Sequence, residues 1–311
     1  MSAQPVPFSL RGTGRVRRRK WLNRGMEGVA TFASALAVGA LVWLVVSVLR
    51  RGVPALNFDL VTKNQALFYA GGGGIANAIV GSAVLVAFAT LFAFPVGVLS
   101  AIYVHEFARP SVRRVVGTTL DVLTGIPSIV IGIFIFSILI AGGKQFGLAG
   151  SCALAIIELP LIARAATEVL ALVPSSLREA SLALGVSRWR TVVSVVFPSA
   201  LSGILTGTML AVARAAGETA PLLVTSSIVA NTTSLDPTQA LNSLPLTIFN
   251  YSESPDPSQH AQAWAAAFLL LCFVLLTNVV ARVALARSRR KLEGAPARRR
   301  SRTIHQLFTR R

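Results

Sequence analysis

The amino-acid sequence predicts an all-α polytopic membrane protein with six transmembrane helices. Three observations carry that prediction. The first is composition: 53% of the 311 residues are hydrophobic, only 14% are charged, and the mean hydropathy is +0.65. A soluble domain carries about 25% charged residues. The second is a series of six apolar runs, each near the ~20 residues that a helix needs to cross the hydrocarbon core. The third is the placement of charge. The net charge of +18 sits mostly in two tails: residues 1–28 hold seven Lys/Arg and one acid, and residues 282–311 hold eleven and one. A nearly neutral apolar body with basic ends fits a lipid bilayer and argues against nucleic acid as the partner.

Taken in order, residues 1–28 read as a basic tail. The first span, 29–49, follows it as an accessory helix. Its apolar run is longer than a signal-peptide core and no small-residue cleavage site follows, so it reads as uncleaved. Residues 50–76 form an external loop ending in the Gly71–Gly74 run. That run lacks a following Gly-Lys-Ser/Thr, so it is no phosphate-binding loop and reads as a flexible joint. The remaining spans are Asn77–Val104, Val116–Ala141, Leu148–Val173, Ala200–Pro221 and Gln262–Ala286, making 77–286 one transmembrane domain. Pro95, Pro127 and Pro160 lie inside three of them. Residues 287–311 are a second basic tail, suited to anionic lipid.

Loop charge sets the orientation, because Lys and Arg concentrate in cytoplasmic segments. With the N-terminus inside, 24 of the 30 Lys/Arg fall on the cytoplasmic side and four outside, Arg164 and Arg214 lie within spans, and residues 231–261 contain none. Both termini are therefore expected in the cytoplasm. Catalysis finds no support. His105, His260 and His305 are scattered, and neither a metal-binding His pair nor a Gly-x-Ser-x-Gly elbow occurs. Cys152 and Cys272 lie in apolar runs, which argues against a disulfide or metal site. The expectation is no catalytic residue, no metal and no cofactor bound by this chain.

The loop at 174–198 carries the most local information. Ser176 and Glu179 have the spacing of a capping box. Leu177, Ala180, Ser181 and Leu184 recur on one helical face. Gly185 is a natural stop, and Ser187 is placed to cap a second helix. A two-turn helix is marginal alone in water, so it needs a partner, and the small-residue face of Ala180, Ser181 and Ala183 suits insertion into a groove. The spacing Glu179-Ala180-Ser181, three residues, Gly185, nine residues, Val195-x-Phe197-Pro198 resembles the hallmark loop of ABC importer permeases. Ser181, Val195 and Phe197 depart from that pattern in identity but not in spacing. The resemblance implies the type I importer (MetI-like) fold, with Glu179, Ala180, Ser181, Gly185 and Pro198 coupling to an ATPase.

Charged residues inside spans cost about 2.5–3.5 kcal/mol each at mid-bilayer, so those present need a reason. Arg214 and Glu218 are four apart and can pair on one helix face, with Gly217 and Pro221 loosening the helix beside them. Arg214 is open to two roles, a structural ion pair or a fixed cation on a path for an anion. Glu158 and Arg164 in the fourth span are further path candidates, and Asp121 lies in the third. The stretch ARAAGETAPLL at 213–223 resembles phosphate-specific permeases of the PstA type, as do GGGGIANAIVGS at 71–82 and LTGIPSIVIG at 123–132. That resemblance implies a subunit of a phosphate importer in a bacterial inner membrane. Its partners would be a second related permease, two ATP-binding subunits that hold ATP and Mg, and an external phosphate-binding protein. A permease for sulfate, molybdate or phosphonate is the alternative cargo reading.

Overall fold

A computed structural model describes residues 14–65, 73–227 and 232–293, and every regular element among them is helical. The chain divides into two compact units, 1–51 and 52–311. The first holds α1 (Gly14–Gly52), up to its last residue. Trp21, Phe32, Leu36 and Trp43 are exposed along it. Such all-round apolar exposure suits lipid rather than water. The predicted tail residues 1–13 and 294–311 lie outside the described residues, as do Gly71 and Gly72 of the glycine run.

The second unit opens with a short 3₁₀ turn, Val53–Ala55, and α2 (Phe58–Thr62), capped by the Asn57 side chain accepting from the Leu60 amide at 2.6 Å. One glycine of the expected joint is packed here. At Gly74 an added Cβ would lie 2.4 Å from the carbonyls of Asp59 and Lys63, so only glycine fits against α2.

Helix α3 (Ala76–Ile102) ends in a π-helical turn, Tyr103–Phe107, and α6 is Gly147–Ala171. These two match the second and fourth predicted spans, and both keep their prolines, Pro95 and Pro160, inside the helix. Together with the helix ending at Ala216 they enclose the main core of Leu85, Ala89, Ala93, Leu154, Ile162, Ala166 and Ile204. The small residues let backbones approach closely, which is how helices gain packing energy where lipid supplies no hydrophobic drive.

The third span is not one helix. It is α4 (Pro110–Gly125) and α5 (Ser128–Ile135), continued by a π turn, Phe136–Ile140, and the two arms bend by 96°. Pro127 has no amide hydrogen and drives the preceding Ile126 into extended backbone (φ −70°, ψ 129°), ending α4. Among the described residues, five helices are long and apolar enough to cross a membrane singly, and the number reaches six when this bent pair is counted as one span.

The fifth span also differs from expectation. After α7 (Ser175–Ala183) come α8 (Arg188–Thr191), a π turn at Val192–Val196 and α9 (Phe197–Ala216), forming one apolar rod. The rod stops at Gly217, and Pro221 belongs to a separate helix, α10 (Ala220–Thr225). A proline amide cannot join the ladder, so the chain restarts with Pro221 in the first turn. Helix α10 crosses α5 at Gly132, where an added Cβ would meet Pro221 Cα at 2.7 Å. Helix α11 (Leu244–Ser252) and α12 (Pro257–Glu293) complete the unit.

The segment between α10 and α11 is held by polar contacts. Gln65 Oε1 accepts from Asn242 Nδ2 at 2.8 Å and from Asn77 Nδ2 at 3.4 Å, and Ser82 Oγ accepts from the Leu244 amide at 2.7 Å. The amides of Gly147 and Leu148, at the start of α6, donate to the carbonyls of Gln239 and Pro237. In this segment the Asp236 carboxyl lies below the usual carboxylate range, chiefly because the Thr238 hydroxyl donates to it.

Candidate functional site: a surface helix and charged residues in the spans

Helix α7 ends in a complete Schellman motif. The Gly185 amide donates to the Leu182 carbonyl at 2.9 Å, and the Val186 amide donates to the Ser181 carbonyl at 3.2 Å. Gly185 has φ +78°, the left-handed conformation that the motif requires. The predicted stop therefore forms as expected. The predicted start does not. The helix begins at Ser175 behind Pro174, and no side chain caps it, so the Ser176–Glu179 box is not made. Ser187 occupies the N-cap position of α8 but contributes only its carbonyl, accepting from Thr191.

The faces of α7 also sort differently from the sequence pattern. Ser181 is buried, and its hydroxyl is 2.9 Å from that of Thr191 in α8. It therefore ties the loop together from within and does not face outward. Glu179, Ala180, Gly185 and Pro198 are exposed. Around them stand Leu172 (80% exposed), Leu177, Leu182, Leu184 (84%) and Trp189. So many large apolar groups on a short polar loop form the kind of surface that partners cover.

Beneath this surface lies a cluster that the sequence pattern did not single out. The buried Glu106, in the π turn after α3, has one carboxylate oxygen that accepts from Arg178 Nη2 at 2.8 Å and Nε at 3.2 Å. His105 Nδ1 lies 3.0 Å from the same oxygen. Arg178 also donates to the carbonyls of Val173 and Leu170, at 2.7 and 3.1 Å. Arg188 donates to the Glu106 carbonyl and stacks 5.3 Å over the Phe107 ring. Glu106 and Arg178 are 72 residues apart, so no local spacing could have found the pair.

Within the spans, Arg214 Nε lies 3.5 Å from Glu218 Oε1. The pair forms as predicted, but not on one continuous helix. Arg214 is in the last turn of α9, and Glu218 follows Gly217 in a tightened turn where its amide donates to the Ala215 carbonyl. Arg214 keeps 59% of its side chain exposed in this single chain, against 18% for Glu218. Arg164 makes an ion pair with Asp121 of α4. These two line a cavity of about 260 Å³ with Arg113, Thr167 and Glu168, to which α9 contributes nothing. Glu158 is fully buried between α3 and α6, where one oxygen accepts from Thr90 Oγ1 at 3.0 Å and the other has no hydrogen-bond partner among the described residues. The four path candidates thus occupy three separate surroundings.

Comparison with known proteins agrees with this architecture. Residues 93–291 match the family model described as binding-protein-dependent transport system inner membrane component. The chain is 40% identical over 251 residues to the phosphate transport system permease protein PstA of Yersinia pestis, covering 80% of this chain and 85% of that one. It is 38% identical to PstA 1 of Mycobacterium tuberculosis strain H37Rv, covering 79% and 82%. Among solved structures, an inward-facing MetNI methionine ABC transporter aligns with a TM-score of 0.54 at 20% identity, over 68% of this chain and 92% of that chain. A bacterial alginate ABC transporter bound to a pentasaccharide-loaded periplasmic protein aligns at 0.60 and 15%, over 85% and 93%. These structural matches speak to fold alone.

Proposed function

Because the chain belongs to the family of binding-protein-dependent transport system inner membrane components, we propose that it works as the permease subunit of an ATP-driven phosphate importer. The observation that carries phosphate is its identity with PstA permeases across most of its length. The protein is a multi-pass membrane protein and a transport subunit.

The finer assignments follow from chemistry. The exposed apolar patch on α7 and α8, with Glu179, Ala180, Gly185 and Pro198, would seat an ATP-binding subunit, which would hold the ATP and Mg. Two such subunits, a second related permease and an external phosphate-binding protein would complete the importer. The concentration of Lys/Arg supports a cytoplasmic placement of both termini and of α7. Arg214 would offer an anion a cation on the path. Its long contact to Glu218 and its open side chain leave it free to exchange partners. Ser181 acts inside the loop, so its contribution to coupling is structural.

The test is reconstitution of the chain with these partners in proteoliposomes, following labelled phosphate uptake against ATP hydrolysis. ATP-dependent phosphate uptake is the expected result. Competition by sulfate, molybdate or phosphonate stronger than by unlabelled phosphate would favour the other cargo class instead.

A further inference from the structure

We infer that Glu106 and Arg178 form a clamp that makes α3 the third helix driven by the docking helix α7. This rests on the reading of α7 as the ATPase seat. The chain itself joins α7 to only two long helices, to α6 through Leu172–Pro174 and to α9 through α8. Any motion of α7 passes to those two along the backbone. Helix α3 has no such backbone link; it packs on α6 and α9, and its direct side-chain tie to α7 is the buried cluster at Tyr103–Phe107.

The cluster is built for rigidity. Arg178 lies in the middle of α7, and its planar fork reaches three acceptors on two other elements: Glu106, and the carbonyls of Leu170 and Val173. A fork with several fixed acceptors holds direction as well as distance, which a lysine cannot do. Arg188 repeats the grip from α8, on the Glu106 carbonyl and the Phe107 ring. Arg113 of α4 donates to the carbonyls of Val104 and His105, so the start of the bent span joins the same knot. π turns flank the joint on both sides, at Tyr103–Phe107 and Val192–Val196. Such turns recur at functional sites.

The far end of α3 meets the segment before α11: Asn77 donates to Gln65, which also accepts from Asn242, and Ser82 accepts from the amide of Leu244 at the start of α11. Helix α3 therefore runs from the docking knot to the opposite polar knot. Glu106 is a positioning residue: it acts through Arg178 and conveys α7 displacement to that far segment. The physical warrant for coupling of this kind is an element whose equilibrium both ends bias.

The experiment uses the reconstituted importer with Glu106→Gln, Glu106→Asp and Leu184→Arg. Three quantities are read: copurification of the ATP-binding subunit, the stimulation of hydrolysis by phosphate-loaded binding protein, and phosphate taken up per ATP hydrolysed. Glu106→Gln is expected to retain the ATP-binding subunit and basal hydrolysis. Its uptake per ATP and its stimulation should fall by roughly tenfold, within the range of known site-to-site couplings. Glu106→Asp keeps the charge and should recover part of that loss. Uptake per ATP equal to wild type in Glu106→Gln would overturn the clamp, as would loss of the ATP-binding subunit in that variant or no recovery in Glu106→Asp. The docking reading fails separately, if Leu184→Arg still binds the ATP-binding subunit as wild type does.

Discussion

Arg214 leaves more than half of its side chain open, whereas Glu158 exposes none. Both are ionisable groups within spans, where an uncompensated charge at mid-bilayer costs about 2.5–3.5 kcal/mol. Arg214 is compensated in part by Glu218 at 3.5 Å, and its open side chain leaves room for water, an anion or a neighbouring protein to do the rest. Glu158 instead has a hydroxyl donor from Thr90 and close packing between α3 and α6. The two should therefore respond differently to substitution. Arg214→Ala is expected to lose phosphate uptake while the ATP-binding subunit still copurifies; normal uptake would remove Arg214 from the path. Glu158→Gln preserves shape and the Thr90 contact, and is expected to retain most uptake in the same assay. A full loss there would return Glu158 to the path. Sequence reasoning could identify both residues as charges in apolar runs, but the side of the helix each occupies depends on packing.

At the scale of elements, α7 owes its length to Gly185. The residue's φ of +78° costs an L-residue about 1–2 kcal/mol. No atom crowds the position, so conformation alone decides the effect of substitution there. Gly185→Val should weaken association of the ATP-binding subunit by roughly five- to thirtyfold, the equivalent of that strain, read from a binding titration on the assembled permease pair. The packing of α9 on α6 depends on a different glycine property. An added Cβ at Gly207 would meet Ala165 Cβ at 2.4 Å. Gly207→Leu should destabilise by about 1–3 kcal/mol through overpacking, seen as a lower thermal midpoint in detergent. Gly117→Leu, with nothing within 4 Å, is the control that should leave the midpoint in place. Gly203 and Gly207, four apart, both lie against α6, at Val169 and Ala165, a small-residue contact that the sequence reading did not single out.

For the whole molecule, the charge distribution predicts which surface faces which compartment. In a chain whose two native cysteines are replaced by alanine, Leu235→Cys on the segment before α11 should react with a membrane-impermeant maleimide in intact spheroplasts. Ser176→Cys on α7 should react only after permeabilisation. The reverse pattern would invert the topology. The six apolar segments, the basic ends and the Glu179–Pro198 spacing were all legible from residues close together in the chain, because hydropathy, charge bias and helix stops are local properties. Pro95, Pro127 and Pro160 looked alike in that light. Two stayed within helices and one produced a 96° bend, since a proline's effect depends on what packs around the freed carbonyl. The loop at Glu179–Pro198 likewise announced a short helix with a Gly185 stop from its own residues. Which face it buries, through Ser181, and which distant helix it grips, through Arg178 and Glu106, were decided by the tertiary structure. Those contacts pair groups 10 and 72 residues apart, and only the folded chain brings them within hydrogen-bonding distance.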